Sequence, residues 1–302
     1  MIEAASTYPG SIHAAAKVNL FLHVTGKRND GYHLLDSGVV FTTFGDQITI
    51  EPAVRDEICV NGPFAEILTE EPSTNICAAC LDKFREAGGV FEPVRISIEK
   101  NIPVGAGLGG GSTDAAALLR YLNQNTVSPL ASESLYRLAL RLGADVPVCL
   151  NMLPARIKGM GEIISPLNIN NTGPILLANP GKALATTNVF KSLTKTKETK
   201  KQQNPVHALE GASPHQLAGY GNDLQAPACQ LMPEIGKLLN TLKAHEGADA
   251  VGMSGSGATC FAIHSSQTTC EAAASQLLDK NIWAVATEII SEKSNNCDHH
   301  LW

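Results

Sequence analysis

A glycine-rich run between a predicted strand (residues 94–100) and a predicted helix (residues 112–123) restricts the possible folds of this chain more than any other segment. Backbone that lacks Cβ atoms approaches a polyanion closely, and its N–H groups can all point at the anion. The helix that follows adds unpaired N–H groups and the positive end of its dipole. The run therefore predicts a phosphate-binding loop, formed by Pro103, Val104, Gly105, Ala106, Gly107, Leu108, Gly109, Gly110, Gly111, Ser112 and Thr113.

Other interpretations of this loop are weaker. Gly105, Gly107 and Gly110 fit the GxGxxG pattern of dinucleotide-binding folds, but those folds need an acidic residue about 20 positions further on. Residues 123–129 are polar instead and precede another predicted helix. The P-loop pattern GxxxxGK(S/T) is absent because no Lys follows the glycines. A flexible turn capped by Ser112 is a further alternative, although five glycines are costly to order without a ligand.

Asp114 follows this loop in the first turn of the predicted helix. A carboxylate there is stabilised by the helix dipole. Beside a triphosphate it would be repelled unless it pointed away or a metal ion lay between the two. We therefore expect Asp114 to stabilise the start of the helix rather than to bind a metal.

Composition excludes several classes of protein. The 302 residues carry 23 Lys and Arg against 29 Asp and Glu, a formal net charge of −6, and proteins that bind nucleic acid are usually basic. No apolar run approaches the roughly 18–20 residues that span a bilayer, and the first ten residues do not resemble a signal peptide. The eight cysteines are scattered, unlike those of a disulfide scaffold. We expect a cytoplasmic protein that binds neither nucleic acid nor membrane.

The apolar pattern predicts two α+β domains, residues 1–167 and 168–302, divided at a polar segment, 168–173. The first domain is predicted to hold strands at 11–24, 34–43, 47–51 and 94–100 and helices at 74–87, 112–123 and 132–142. The second is predicted to hold helices at 230–245 and 268–280 and strands near 250, at 259–263 and at 283–289. Residues 194–205 are predicted to form an exposed loop.

Lys17 lies within an apolar predicted strand, AAAKVNLFLHV. A lysine there must reach solvent, form an ion pair or act at a site, and from this strand alone an ion pair is favoured. Asp145 follows a helix end in the segment LGADVP and is a candidate partner. The alternative for Asp145 is an N-cap or turn residue.

Three segments together resemble the GHMP kinase superfamily: AKVNLFL at 16–22, the loop at 103–113 and GMSGSGATCF at 252–261. The segments GKRNDGYH at 26–33 and LGADVP at 142–147 narrow the resemblance to members that act on a methylerythritol linked to cytidine diphosphate. The resemblance implies an N-terminal domain like ribosomal protein S5 domain 2 and a ferredoxin-like C-terminal domain. It also implies ATP-dependent phosphorylation of the substrate's 2-hydroxyl, a step of non-mevalonate isoprenoid biosynthesis.

The resemblance also implies roles for individual residues. Lys17 and Asp145 would be catalytic, with Asp145 accepting the proton of the hydroxyl late in the transfer and Lys17 holding Asp145 as a carboxylate. Tyr32 and Phe190 would sandwich the cytosine, His33 would bind its edge, and Asn19 would contact the substrate. The alternative for Tyr32 and Phe190 is that both are core residues. The segment 252–257 would pack against the phosphate loop.

The expected ligands are ATP and the cytidine-diphosphate substrate. Both are polyanions, and the protein is itself negative, so Mg²⁺ is expected to supply part of the positive charge. No residue pattern marks a dedicated metal site. Two further clusters are not expected to bind metal: Cys77-x-x-Cys80 lies within a predicted helix, and residues 297–300 lie on a polar tail.

Three alternatives for the function stay open at this point. One is another superfamily member, such as a homoserine kinase or a diphosphomevalonate decarboxylase. The second is a Rossmann dehydrogenase, and the third is a non-catalytic nucleotide or sugar sensor. The oligomeric state is not predicted.

Overall fold

A computed structural model describes residues 9–66, 75–193 and 209–291. The predicted loop at 194–205 and the tail cluster at 297–300 lie outside these residues. The strands are β1 (Gly10–Lys27), β2 (His33–Pro52), β3 (Glu57–Asn61), β4 (Val94–Glu99), β5 (Ala155–Gly159), β6 (Ile163–Pro166), β7 (Pro174–Asn179), β8 (Ala248–Met253), β9 (Cys260–His264) and β10 (Trp283–Glu288). The helices are α1 (Ile76–Glu86), α2 (Gly110–Gln124), α3 (Ser132–Leu142), α4 (Val146–Cys149), α5 (Thr186–Leu193), α6 (Pro214–Ala218), α7 (Gln225–Leu231), α8 (Pro233–Lys243) and α9 (Gln267–Leu278).

The first sheet has the strand order β3-β4-β2-β5-β6, and β1 pairs with β2. The two strands predicted at 34–43 and 47–51 are one strand, β2, which pairs antiparallel with β1 along most of its length. Gly45 permits this continuity, because a Cβ there would lie 2.2 Å from the Ala14 carbonyl oxygen. The antiparallel pairing of β2 with β4 excludes the doubly wound parallel sheet of a Rossmann dehydrogenase.

Helix α2 is the central helix of the layer that packs on the first sheet. It contacts β1 and β2 of the sheet and packs against α1, α3 and α4. Its residues Ala115 to Leu119 are at most 2% exposed, so the helix is buried on almost every side. Burial of the apolar run 115–119 stabilises the helix, and the loop at its N-terminus is therefore held on a rigid support.

The second sheet is antiparallel, in the order β10-β7-β9-β8. The prediction of one helix at 230–245 was wrong: α7 and α8 are separate, and Pro233, which cannot donate a helical N–H, begins the second. The strands β3, β5, β6 and β7 were not predicted. They are four to six residues long, and β3, β5 and β6 hold few buried apolar residues, so little periodic pattern marks them.

Backbone contacts join the first sheet to segments that flank the elements of the second sheet's layer. Leu22 of β1 forms a bridge to Asn222, and Thr42 of β2 forms one to Ile289. Asp223 reinforces the first contact, because its Oδ2 accepts a hydrogen bond from Val24 N at 2.8 Å. The first sheet ends at Pro166 and the second begins at Pro174, but the domain boundary at 167/168 stays a prediction.

The described cysteines are all free thiols, and Cys77 and Cys80 lie buried within α1. Burial raises the pKa of both thiols. No helix among the described residues is long and apolar enough to cross a membrane.

His264, at the end of β9, makes the stability of the second sheet depend on pH. It is 3% exposed, and burial lowers its pKa below 6.5, as does the neighbouring His245. The unfolded chain therefore binds a proton more readily than the folded protein, so the stabilisation is complete above pH 6.5 and is lost as the pH falls through the lowered pKa.

We expect the free energy of unfolding to fall below pH 6.5 by up to about 1.4 kcal/mol per pH unit from this one group. His264→Gln should show a shallower slope in urea unfolding measured between pH 7.5 and 5.5. The control is His215→Gln, which changes an exposed histidine. Equal slopes in the wild type and His264→Gln would contradict this assignment.

Candidate active site

A cleft of about 950 Å³ is lined by residues from the layers that contain the two sheets. Its volume is at the upper end of the range for small-molecule sites. The glycine loop, the start of α2, Lys17 and Asn19 of β1, α5 and the loop after β8 all contribute lining residues.

Most of the predicted loop lines this cleft. Gly105, Gly107 and Gly109 have φ values of +65°, +77° and +69°, a region that favours glycine. Helix α2 begins at Gly110, two residues earlier than predicted, so its first N–H groups belong to the loop itself. Leu108 and Thr113 face the core instead, being 1% and 2% exposed.

The loop is fixed by hydrogen bonds on both sides. Lys17 N of β1 donates to Leu108 O at 2.9 Å, and Thr259 N donates to Ala106 O at 3.1 Å. The Ser254 hydroxyl donates to Gly107 O at 2.8 Å and accepts from Asn19 N at 3.1 Å. The segment 252–257 therefore packs against the phosphate loop, as expected from the resemblance.

Lys17 and Asp145, 128 positions apart, form an ion pair with Nζ 3.0 Å from Oδ2. The Lys17 side chain is 4% exposed and that of Asp145 is 43% exposed. Gly109 lies directly over the lysine stem, since a Cβ there would be 3.2 Å from Lys17 Cε. The pair thus places a buried cation and an accessible carboxylate beside the glycine loop, as predicted.

A second ion cluster was not predicted. Lys100 Nζ lies 2.5 Å from Asp46 Oδ2 and 2.5 Å from Asp114 Oδ2, and all three side chains are at most 5% exposed. The expectation that Asp114 supports the first helical turn was wrong, because α2 begins at Gly110 and its first turn holds no acidic residue. The alternation of β4 contained the signal for this cluster: Val94, Ile96 and Ile98 are buried, and Lys100 continues the same face.

Of the predicted substrate residues, Asn19 and Phe190 line the cleft, whereas Tyr32 and His33 are not among its lining residues. Asn19 Nδ2 donates to the Ser37 hydroxyl at 2.9 Å. The ring stacked on Phe190 is that of His33, with centroids 4.9 Å apart and an interplanar angle of 26°. Burial and Lys27 lower the pKa of His33. Tyr32 is 65% exposed and is therefore not a core residue, which excludes that alternative for it.

Several lining residues were missed by the sequence analysis. Each comes from a different element, so no local pattern marks them as a group. They are apolar: Leu22, Leu35, Ile157 and Leu224. Thr186 and Ser256, which the sequence had already marked by their positions before Phe190 and within 252–257, also line the cleft, and their hydroxyls lie 2.8 Å apart.

Comparison with known proteins adds information on family. Residues 75–151 match the model of the GHMP kinases N terminal domain, and residues 207–282 match that of the GHMP kinases C terminal domain. The 4-diphosphocytidyl-2-C-methyl-D-erythritol kinase of Rhizobium johnstonii is 41% identical over 287 residues, covering 92% of each chain. The protein of the same name from Paracoccus denitrificans is 43% identical over 286 residues, covering 93% of this chain and 97% of its own.

Solved structures of GHMP kinases are similar to this chain in fold. A crystal structure of 4-(cytidine 5'-diphospho)-2C-methyl-D-erythritol kinase is similar at a TM-score of 0.75 and 31% identity, covering 93% of this chain and 99% of its own. A homoserine kinase from Cytophaga hutchinsonii has a TM-score of 0.72 over 96% of each chain. Its identity of 16% supports a shared fold alone.

Proposed function

This chain belongs to the 4-diphosphocytidyl-2-C-methyl-D-erythritol kinase family of the GHMP kinases, and on that premise we propose that it phosphorylates the 2-hydroxyl of this substrate with ATP. The products are the 2-phosphate and ADP, in non-mevalonate isopentenyl diphosphate biosynthesis. The observation that carries the proposal is the meeting of the glycine loop and the Lys17–Asp145 pair in one cleft. The glycine loop is suited to bind a triphosphate, and the Lys17–Asp145 pair is suited to activate an alcohol.

The glycine loop is the proposed site of the ATP phosphates. Its backbone N–H groups and the N-terminus of the fifteen-residue helix α2 supply positive potential without a side chain. The described residues contain no cluster of three or more His, Cys, Asp or Glu side chains that could hold a metal ion. We therefore treat Mg²⁺ as part of the MgATP substrate, with phosphate oxygens and water as its ligands.

Asp145 is the proposed proton acceptor. Phosphoryl transfer passes through a loose transition state, so positioning and charge neutralisation matter more than a strong base. A carboxylate accepts the proton of the hydroxyl late, as the new O–P bond forms. Lys17, held at 3.0 Å, keeps Asp145 oriented and presents its positive charge to the hydroxyl or the transferred phosphoryl group.

The part of the cleft around Phe190 is the proposed cytidine site. The rings of Phe190 and His33 stack on each other in this structure. In the proposed complex the cytosine takes the place of the His33 ring and stacks on Phe190. In this proposal His33 turns to hydrogen-bond the edge of the base, Tyr32 covers its second face, and Asn19 contacts the substrate near the reacting end. Tyr32 is exposed and therefore accessible for this role.

Phe190→Ala is expected to raise the KM for the cytidine-diphosphate substrate about 5- to 150-fold, because stacking on an aromatic side chain is worth about 1–3 kcal/mol per base. The KM for ATP should stay within about twofold. Steady-state kinetics with each substrate varied in turn measure both constants. Phe190→Tyr, which keeps the aromatic face, is the matched control, and equal rises in the two KM values would contradict the assignment.

The test of the function is ADP release with MgATP and 4-diphosphocytidyl-2-C-methyl-D-erythritol, with phosphorus NMR of the product. The expected result is substrate-dependent ADP and a new phosphomonoester. Homoserine and mevalonate serve as competing acceptors, because homoserine and mevalonate kinases share this fold. Preference for either acceptor would assign the chain another substrate, and ATP binding without transfer to any acceptor would favour a sensor.

A further inference from the structure

The buried cluster of Asp46, Lys100 and Asp114 lies directly beneath the phosphate loop. Lys100 and Asp114 line the cleft. A Cβ on Gly110, the first residue of α2, would be 3.1 Å from Lys100 Nζ, so the ammonium group sits under the start of the helix. Lys100 uses two of its three N–H groups on the two carboxylates, and among the described residues the third has no acceptor.

The two carboxylates of the cluster differ in how well they are satisfied. Asp46 accepts three hydrogen bonds, from Lys100 Nζ at 2.5 Å, Asn101 N at 2.6 Å and Ile102 N at 2.8 Å. Asp114 accepts only the bond from Lys100, and its buried Oδ1 has no partner. A buried carboxylate with an unpartnered oxygen is costly as an anion, so Asp114 is the member of the cluster to which a proton is added most easily.

The groups around Asp114 leave it as the one that titrates near neutral pH. Burial raises its pKa to about 7, with Lys100 opposing the rise and Asp46 adding to it. The thiols of Cys77 on α1 and Cys149 on α4 also face it, and burial raises the pKa of each, so both stay neutral. The pKa of Lys100 is raised by its two carboxylate neighbours against the effect of burial, so it stays charged.

We propose that Asp114 is a positioning residue that takes up a proton when a nucleoside triphosphate binds to the glycine loop, releasing the charge of Lys100 to the phosphates. The proton comes from solvent and is added to the unpartnered Oδ1. With both carboxylates ionised the cluster carries a formal charge of −1, and with Asp114 protonated it carries 0. The inference rests on the proposed function, since it requires ATP in this cleft.

Binding and protonation are then linked in both directions. A bound polyphosphate disfavours the ionised form of Asp114 and raises its affinity for a proton, and the protonated form in turn binds the polyphosphate more tightly. Above pH 7, binding therefore requires proton uptake. The dissociation constant of the triphosphate is expected to rise by up to about tenfold per pH unit there. Asp114→Asn, which is neutral and of the same shape, removes this dependence.

The experiment is calorimetric titration of the wild type and Asp114→Asn with the magnesium complex of adenosine 5′-(β,γ-imido)triphosphate from pH 6 to 9. Repeating it in buffers of different ionisation enthalpy gives the number of protons taken up. The ligand's own phosphate titration affects both proteins equally and cancels in their difference. Asp82→Asn removes an exposed carboxylate from α1 and is the matched control.

The expected result is near-equal affinity of the two proteins at pH 6 and at least about tenfold tighter binding by Asp114→Asn at pH 9. Loss of a purely structural contact would weaken binding instead. If the dissociation constants of the two proteins change in parallel from pH 6 to 9, the inference is wrong and the proposed function is unaffected. If neither protein binds the nucleotide, both are wrong.

If Asp114→Asn fails to fold, the wild type alone still decides the matter. An infrared difference spectrum, bound minus free at pH 8, should gain the carbonyl band of a protonated carboxylic acid. A spectrum without that band would show that no carboxyl group is protonated on binding, and the inference would be wrong.

Discussion

Asp145→Asn is expected to fold normally, to bind ATP with unchanged affinity and to lose about 10²- to 10⁴-fold in kcat, the usual contribution of a general base. The amide keeps the size of the side chain but neither accepts the proton of the alcohol nor carries the charge that pairs with Lys17. The substitution leaves Lys17, which is 4% exposed, without its carboxylate, so the free energy of unfolding should fall even though Asp145 itself is 43% exposed. Steady-state ADP release and nucleotide titration measure the two effects separately.

The control for this experiment is Asp56→Asn, which removes a carboxylate from another ion pair, with Arg85, at a distance from the cleft. Its kcat should equal that of the wild type. A near-normal kcat in Asp145→Asn would remove Asp145 from the mechanism. A parallel loss of ATP affinity would assign it to nucleotide binding instead.

Gly107→Ala is expected to inactivate the enzyme by separating the two glycine loops. The added Cβ would lie 2.4 Å from Ser254 O and 2.9 Å from Gly257 O, and both are backbone atoms that cannot rotate away. The φ of +77° adds conformational strain. A displacement of about 1 Å at a phosphate site can cost about 10²-fold in rate, and we expect at least this loss in kcat/KM. The free energy of unfolding should fall by about 2–4 kcal/mol.

The matched control is Gly181→Ala. Its φ of +75° gives nearly the same strain, but a Cβ there would have no atom within 4 Å. This variant should lose about 1–2 kcal/mol of stability, measured by urea unfolding, and retain wild-type kcat/KM. Similar behaviour of the two variants would mean that strain alone, and not contact between the loops, explains the effect at Gly107.

Much of the fold near the site could be predicted from local patterns. Helix α3 was predicted at its observed bounds, and α1 begins after Asn75, whose side chain accepts a hydrogen bond from Cys77 N as an N-cap does. The glycine loop was identified because its composition has few other physical explanations. The short strand β5 was missed because its partner β2 lies more than 100 residues earlier in the chain, and β6 forms only by pairing with β5.

The sequence by itself determined the chemistry available to this protein: a backbone loop for phosphate, a lysine in an apolar strand, and aromatic side chains beside a polar turn. Only the tertiary structure decided which of these groups meet. Lys17 pairs with Asp145, which lies 128 positions further on in the chain. Asp114 pairs with Lys100 instead of stabilising the end of a helix. The physical reason is burial, since the cost of an unpaired charge in the core depends on neighbours that only the packed chain brings together.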